Sequence, residues 1–145
     1  MSIDPEAFIG RTLVSVSSAW HEFEGQRGAV PVHIWLSVDG LGTLQLHTLN
    51  GLVISTDSPY EPYEMVEHGR VLVEPSGPAV LLERVGERIE AVSRLTQSPP
   101  GMTVGLLLAF RAGSVGLADL GDELIVAAWP AEEWRRWNVS VRRQV

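Results

Sequence analysis

Cysteine and lysine are both absent from this chain of 145 residues. Without cysteine there are no disulfides, no thiolate metal ligands and no thiol nucleophile. Without lysine, all 11 basic side chains apart from histidine are arginines, scattered except at Arg135-Arg136 and Arg142-Arg143. Neutralising a phosphate backbone takes clustered cations, so nucleic acid is not expected as a partner. Long apolar runs are missing too. The longest, around residues 104–110, is about half of the roughly 20 residues that a spanning helix needs, so no membrane association is expected. The opening Met1-Ser2-Ile3-Asp4-Pro5-Glu6 is acidic and contains proline, which is unlike a secretory leader; the chain reads as soluble and cytoplasmic. The familiar catalytic templates are lacking as well: there is no Gly-x-Ser-x-Gly, no phosphate-cradling glycine loop and no His-Glu-x-x-His. Ser76, in Pro75-Ser76-Gly77-Pro78, reads as a turn serine, and no cofactor is expected.

What is present is a pattern that occurs twice. Residues 9–13 (Ile-Gly-Arg-Thr-Leu) answer residues 85–89 (Val-Gly-Glu-Arg-Ile), the apolar run 32–38 answers 104–110, and 42–59 answers 113–130 without a gap, so that Leu49 meets Leu120 and Pro59 meets Pro130. Internal repetition of this kind marks one supersecondary unit used twice. Chain length and a hydrophobic content of 45% suit one well-buried core rather than two. The expected organisation is therefore a single domain, residues 1–145, with internal repeats at about 4–63 and 77–137.

Each repeat begins with helix grammar. Asp4-Pro5 and Gly77-Pro78 precede short apolar stretches that close on Gly10 and Gly86. The clearest alternation comes next: Val32, Ile34, Leu36 and Val38 point one way, and His33, Trp35 and Ser37 the other, as in a half-buried strand. Gly40 and Gly42, then Asn50-Gly51, reverse the chain, and Ala112-Gly113 and Gly121-Asp122 do so in the second copy. Pro59 and Pro130 stand at helix starts, of which only the second is expected to run on, because Pro62 interrupts the first. Residues 69–78, with a short strand at Val71-Leu72-Val73-Glu74, read as a connector. The predicted fold class is α+β and β-rich: an internally duplicated helix-plus-four-strand antiparallel meander, its two halves packed as one barrel-like or sandwich domain.

Candidate binding residues lie where the copies differ. If Val38 pairs with Leu44, Trp35 faces His47 and His33 shares that face, forming an aromatic surface; with a third ligand the two imidazoles would suit a metal, although facing strand residues are commonplace and no metal site is expected. The longer loop 21–31 of the first copy carries Glu22 and Glu24, and loops that differ in length are where function is added. Asp119, Asp122 and Glu123 crowd carboxylates into one segment, which would suit general acid and base work; the simpler reading is a turn. Trp129 and Trp134 are expected to plug the fold, Trp137 to lie on one helical face with Trp134, and Trp35 to be the surface anchor.

The net charge of −7 keeps a small domain soluble and steers it towards basic partners. Three function classes are compatible with these features. The favoured one is a non-catalytic protein-binding module, an inhibitor or immunity-type protein with a basic protein partner. A small-ligand-binding barrel or sandwich would need the Trp and His residues to line a cavity. A carboxylate- and His-dependent hydrolase or metal enzyme would need Asp119, Asp122 or Glu123 to converge with His33 or His47. Pairing of two chains through a strand edge would give a homodimer.

Overall fold

The computed structural model describes residues 4–99 and 101–144; residues 1–3, weighed above as a leader, and Pro100 of the proline turn lie outside them. The described chain begins with a 3-10 turn, Pro5–Phe8, where Asp4 Oδ1 accepts the Glu6 N–H at 3.0 Å and Pro5 supplies a preset φ. Seven strands come after it: β1 (Leu13–Phe23), β2 (Gln26–Arg27), β3 (His33–Val38), β4 (Gly42–Thr48), β5 (Leu52–Ser55), β6 (Tyr63–Glu64) and β7 (Arg70–Glu74). They form one antiparallel sheet in the order β5-β4-β3-β1-β7-β6, with β2 paired to the end of β1. A four-residue helix, α1 (Ala79–Leu82), leads to β8 (Ile89–Gln97), β9 (Met102–Phe110), β10 (Gly113–Leu120) and β11 (Glu123–Trp129). Then come α2 (Glu132–Arg136) and β12 (Val139–Gln144), and the second sheet has the order β11-β10-β9-β8-β12.

The molecule is β-rich, with two antiparallel sheets and little helix. Among the described residues no closed barrel forms, since each sheet ends on strands paired on one side only. No helix among the described residues is long and apolar enough to cross a membrane. The expected four strands per half are corrected. The short strand expected at residues 71–74 forms as β7, but it is a member of the first sheet rather than a connector between the halves, laid against the free side of β1 from Ser18↔Glu74 to Glu22↔Arg70. An 11-residue β1 would otherwise leave a ladder of backbone groups unpaired beside β3.

Alternation decides which faces are dry. Ile34, Leu36, Leu44 and Leu46 of the first sheet join Leu106, Leu108, Val115 and Leu117 of the second in one buried cluster. Each such side chain contributes about 1.5–3 kcal/mol when fully buried, so this shared core is the main tie between the sheets. The opposite faces are covered by segments C-terminal to each meander: Tyr60 packs on Trp35, Ala19 and Val71 in the first sheet, and Trp134 on Leu107, Ala118 and Ala127 in the second. Trp134 plugs as the sequence predicts, and it fits because Gly116 lies beneath it; a Cβ there would stand 2.5 Å from the indole.

Two polar junctions add to the shared core. At one, the N–H groups of Gly10 and Gly86 donate to Ile89 and Leu13, both at 2.7 Å, while those of Ile89 and Leu13 donate to Arg11 and Glu87 at 2.8 and 3.0 Å. Thr12 and Arg88 sit opposite each other between these bonds. At the other, Gly51 N–H donates to Asp119 Oδ2 at 2.8 Å and the Thr48 hydroxyl to the Asp122 carbonyl at 3.3 Å, joining the β4–β5 and β10–β11 hairpins.

Candidate functional site

On the outer face of the first sheet the β3–β4 loop fixes which residues meet. Leu41 N–H donates to the Val38 carbonyl at 2.9 Å, and Val38 pairs with Gly42, not with Leu44. The expected register is thus shifted by two residues. Trp35 faces Gln45, whose Oε1 accepts the indole N–H at 3.1 Å, and His33 falls opposite His47, with ring centroids 5.6 Å apart and edge-on. Tyr60, descending from the segment between β5 and β6, places its hydroxyl 2.5 Å from His33 Nδ1 and its ring 5.0 Å from that of Trp35.

Trp35 is only 1% exposed, which corrects the expectation of a surface anchor. Its face reads as polar from the alternation of β3, but Tyr60, Val71 and Val73 cover it. The histidines are half-buried beside it, and His47 Nδ1 is buried without a hydrogen-bond partner. Burial, followed by the facing His47, pushes the His33 pKa below the ordinary 6.5. Burial, then the neighbouring Tyr63 phenol, raises Tyr60 to about 12. His33, Trp35, His47 and Tyr60 thus form a packed aromatic group that holds residues 57–64 on the sheet, with both His33 and Tyr60 neutral at pH 7.

The remaining candidates are dispersed. Glu22 is not in a loop: it ends the β1–β7 ladder opposite Arg70, and its carboxylate pairs with that guanidinium at 2.6 Å. Glu24 is exposed in the β1–β2 turn at φ +50°. Asp119 is spent on Gly51, and Asp122 occupies the β10–β11 turn at φ +66°. Trp137 lies just past α2, 36% exposed, with its ring beside Gly121. Among the described residues no three of His, Cys, Asp and Glu are grouped to hold a metal ion, so the acidic turn and the histidines do not converge.

The most unusual surface was missed at the sequence level. Directly beyond the aromatic group, Tyr63 is 46% exposed, Met65 is exposed, and Val66 is 92% exposed at φ +54°, a conformation that β-branched residues almost never adopt. The 3-10 turn Val66–His68 is closed by the Met65 N–H donating to the Gly69 carbonyl at 2.7 Å. Gly69, at φ +87°, brings this turn against β1, since a Cβ there would stand 2.1 Å from the Glu22 carbonyl oxygen and 3.1 Å from Phe23 Cα. Phe23 is itself exposed and extends the apolar tip. Glu61, Glu64 and Glu67 surround it, and none is in an ion pair among the described residues, whereas Glu22 and Glu74 are neutralised by Arg70 and Arg27. The legible signal was the apolar Tyr63, Met65 and Val66 interspersed with Glu64 and Glu67 after a segment holding Pro59 and Pro62. No known protein family matches the chain, and neither does any curated protein or solved structure.

Proposed function

We propose that the protein is a non-catalytic binding module of the cytoplasm that takes a basic protein partner on the tip formed by Phe23, Tyr63, Met65 and Val66. It would act as a small acidic inhibitor or immunity-type protein does. The observation that carries this reading is Val66, an apolar side chain held almost wholly in solvent at a backbone angle that costs on the order of 1–3 kcal/mol. Such strain belongs where a surface is kept for contact, and Glu61, Glu64 and Glu67, in no ion pair among the described residues, give that contact its charge preference. The ligand-cavity alternative has less support, because His33, Trp35 and His47 pack on one another rather than around a space. The hydrolase alternative has less support because its carboxylates and imidazoles are not grouped.

The test is affinity capture from the native host, followed by titration of the purified partner. Val66→Asp and Tyr63→Ala are expected to weaken binding more than tenfold, about the contribution of one anchor residue, and added salt to weaken it further. Arg111→Ala, on an exposed turn, should leave it unchanged. Equal binding by all variants would refute the tip as the contact.

We also infer that residues 4–63 and 77–137 are two copies related by a pseudo-two-fold axis between Thr12 and Arg88, packed as a sandwich. The reciprocal bonds of Gly10 with Ile89 and of Gly86 with Leu13 support this, as do the matching strand orders β5-β4-β3-β1 and β11-β10-β9-β8, each extended by a strand, β7 or β12, that follows its copy in the chain. Gly10 and Gly86 have φ of +85° and +90°. Gly10→Ala and Gly86→Ala should therefore cost similar stability, on the order of 1 kcal/mol each; widely different losses in urea titrations would count against equivalence.

A further inference from the structure

We propose that the free edge of β11 is a second binding site, separate from the tip, which takes an extended apolar peptide bearing a basic side chain as an added strand of the second sheet. β11 is the terminal strand, and its first pair with β10 across the two-residue Gly121-Asp122 loop is Leu120↔Glu123. In an antiparallel pair, backbone groups alternate between facing the partner and facing away. The N–H and C=O of Leu124, Val126 and Ala128 consequently point away from β10. Ala128 fixes the phase, because its carbonyl accepts the Trp134 indole N–H at 2.8 Å and is thereby closed off. Leu124 and Val126 retain outward groups that nothing among the described residues hydrogen-bonds.

A groove of about 420 Å³ runs beside these groups, lined by Trp20, Pro31, Leu124, Ile125, Val126 and Glu133 among others. Alternate side chains of a strand point to opposite faces, so three successive residues line one space only where that space runs along the strand's edge. Its apolar wall is rigid: Trp20 is tied through its indole N–H to Ser18 Oγ at 2.8 Å and stacked by Arg27 at 5.2 Å. Glu133 is its ionisable lining residue and is in no ion pair among the described residues. Helix α1 packs against β11, and Trp134 closes off the Ala128 carbonyl, but the strand itself carries few of the devices that blunt an edge. Its sequence, Glu-Leu-Ile-Val-Ala-Ala-Trp, contains neither the proline nor the lysine that ordinarily blunts an exposed strand, and its ladder to β10 has no bulge. A second copy is the poorer occupant, since each chain carries a net charge of −7 and two β11 edges would bring acidic ends together. A peptide with alternating apolar side chains and an arginine satisfies the backbone groups, the apolar wall and Glu133 at once.

The probe is the capped peptide acetyl-Thr-Val-Arg-Val-Thr-amide, titrated calorimetrically into the full chain and followed by amide hydrogen exchange. Saturation should slow exchange at the Leu124 and Val126 amides about tenfold or more and leave Ile125 and Ala127, already bonded to β10, unchanged. A backbone N-methylated version should bind at least about tenfold more weakly. Val126→Pro, which removes an outward N–H without cutting the β10 ladder, should abolish binding while the circular dichroism spectrum is retained. Glu133→Gln should weaken the arginine peptide severalfold and leave a variant with norleucine in place of arginine unaffected. Equal binding of the N-methylated peptide, unchanged exchange at Leu124 and Val126, no binding at millimolar peptide, or self-association of the chain through β11 would each overturn the proposal.

Discussion

At His33, burial and the facing His47 both disfavour the imidazolium, and the Tyr60 hydroxyl occupies Nδ1. A histidine whose folded pKa lies below its unfolded value binds fewer protons when folded. The stability it contributes is complete above about pH 6.5 and is lost as pH falls towards the folded value. Urea midpoints should therefore be lower at pH 5.5 than at pH 7.5, and His33→Gln should narrow the difference; an unchanged gap would mean that other groups carry it. Since Tyr60 anchors residues 57–64, acid should loosen the tip before the shared core. At this scale the sequence was partly legible. The neighbourhood of His33, Trp35 and His47 on one face came from alternation, but the burial of Trp35 did not, because it depends on Tyr60 and on the distant strand β7.

Among elements, the hairpins were the most readable. Asn50-Gly51 and Gly121-Asp122 turn with positive φ at both residues, as their composition demands. The β3–β4 register was not readable, since Gly40 and Gly42 both take positive φ and either could have ended the loop. Trp134 over Gly116 shows how the second sheet differs from the first: Gln45, at the corresponding place, bonds an indole supplied by β3, whereas Gly116 makes room for one supplied by α2. Gly116→Ala should cost roughly 1–3 kcal/mol by overpacking the indole. Gly105→Ala should cost more, about 3 kcal/mol or above, because its Cβ would stand 2.0 Å from the Leu117 carbonyl oxygen, which cannot swing aside as a side chain can. Thermal melts of both variants, and of Gly116→Ala combined with Trp134→Leu, check this: the pair should be less than additive.

For the whole molecule, the buried carboxylate of Asp119 links hairpins 68 residues apart in the chain. Asp119→Ala leaves the Gly51 N–H without that acceptor and should cost about 1–3 kcal/mol, and Asp119→Asn less, since an amide oxygen can still accept. Unfolding should remain one transition, with tryptophan fluorescence and circular dichroism coinciding, because the core is shared between the sheets. The β-rich character was visible in the repeats and the strand at residues 71–74 in its composition, while the place of β7 in the first sheet was not, because its partner is decided by pairing across 48 to 56 residues. Each sheet nevertheless uses one unbroken stretch, residues 13–74 and residues 89–144. Cutting the backbone near Ser76 would sever no strand ladder, so the molecule can be carried as two separate polypeptides whose apolar faces are complementary. Fused to two other proteins, such fragments would reassemble when those proteins meet, and the recovered Trp fluorescence would report the encounter.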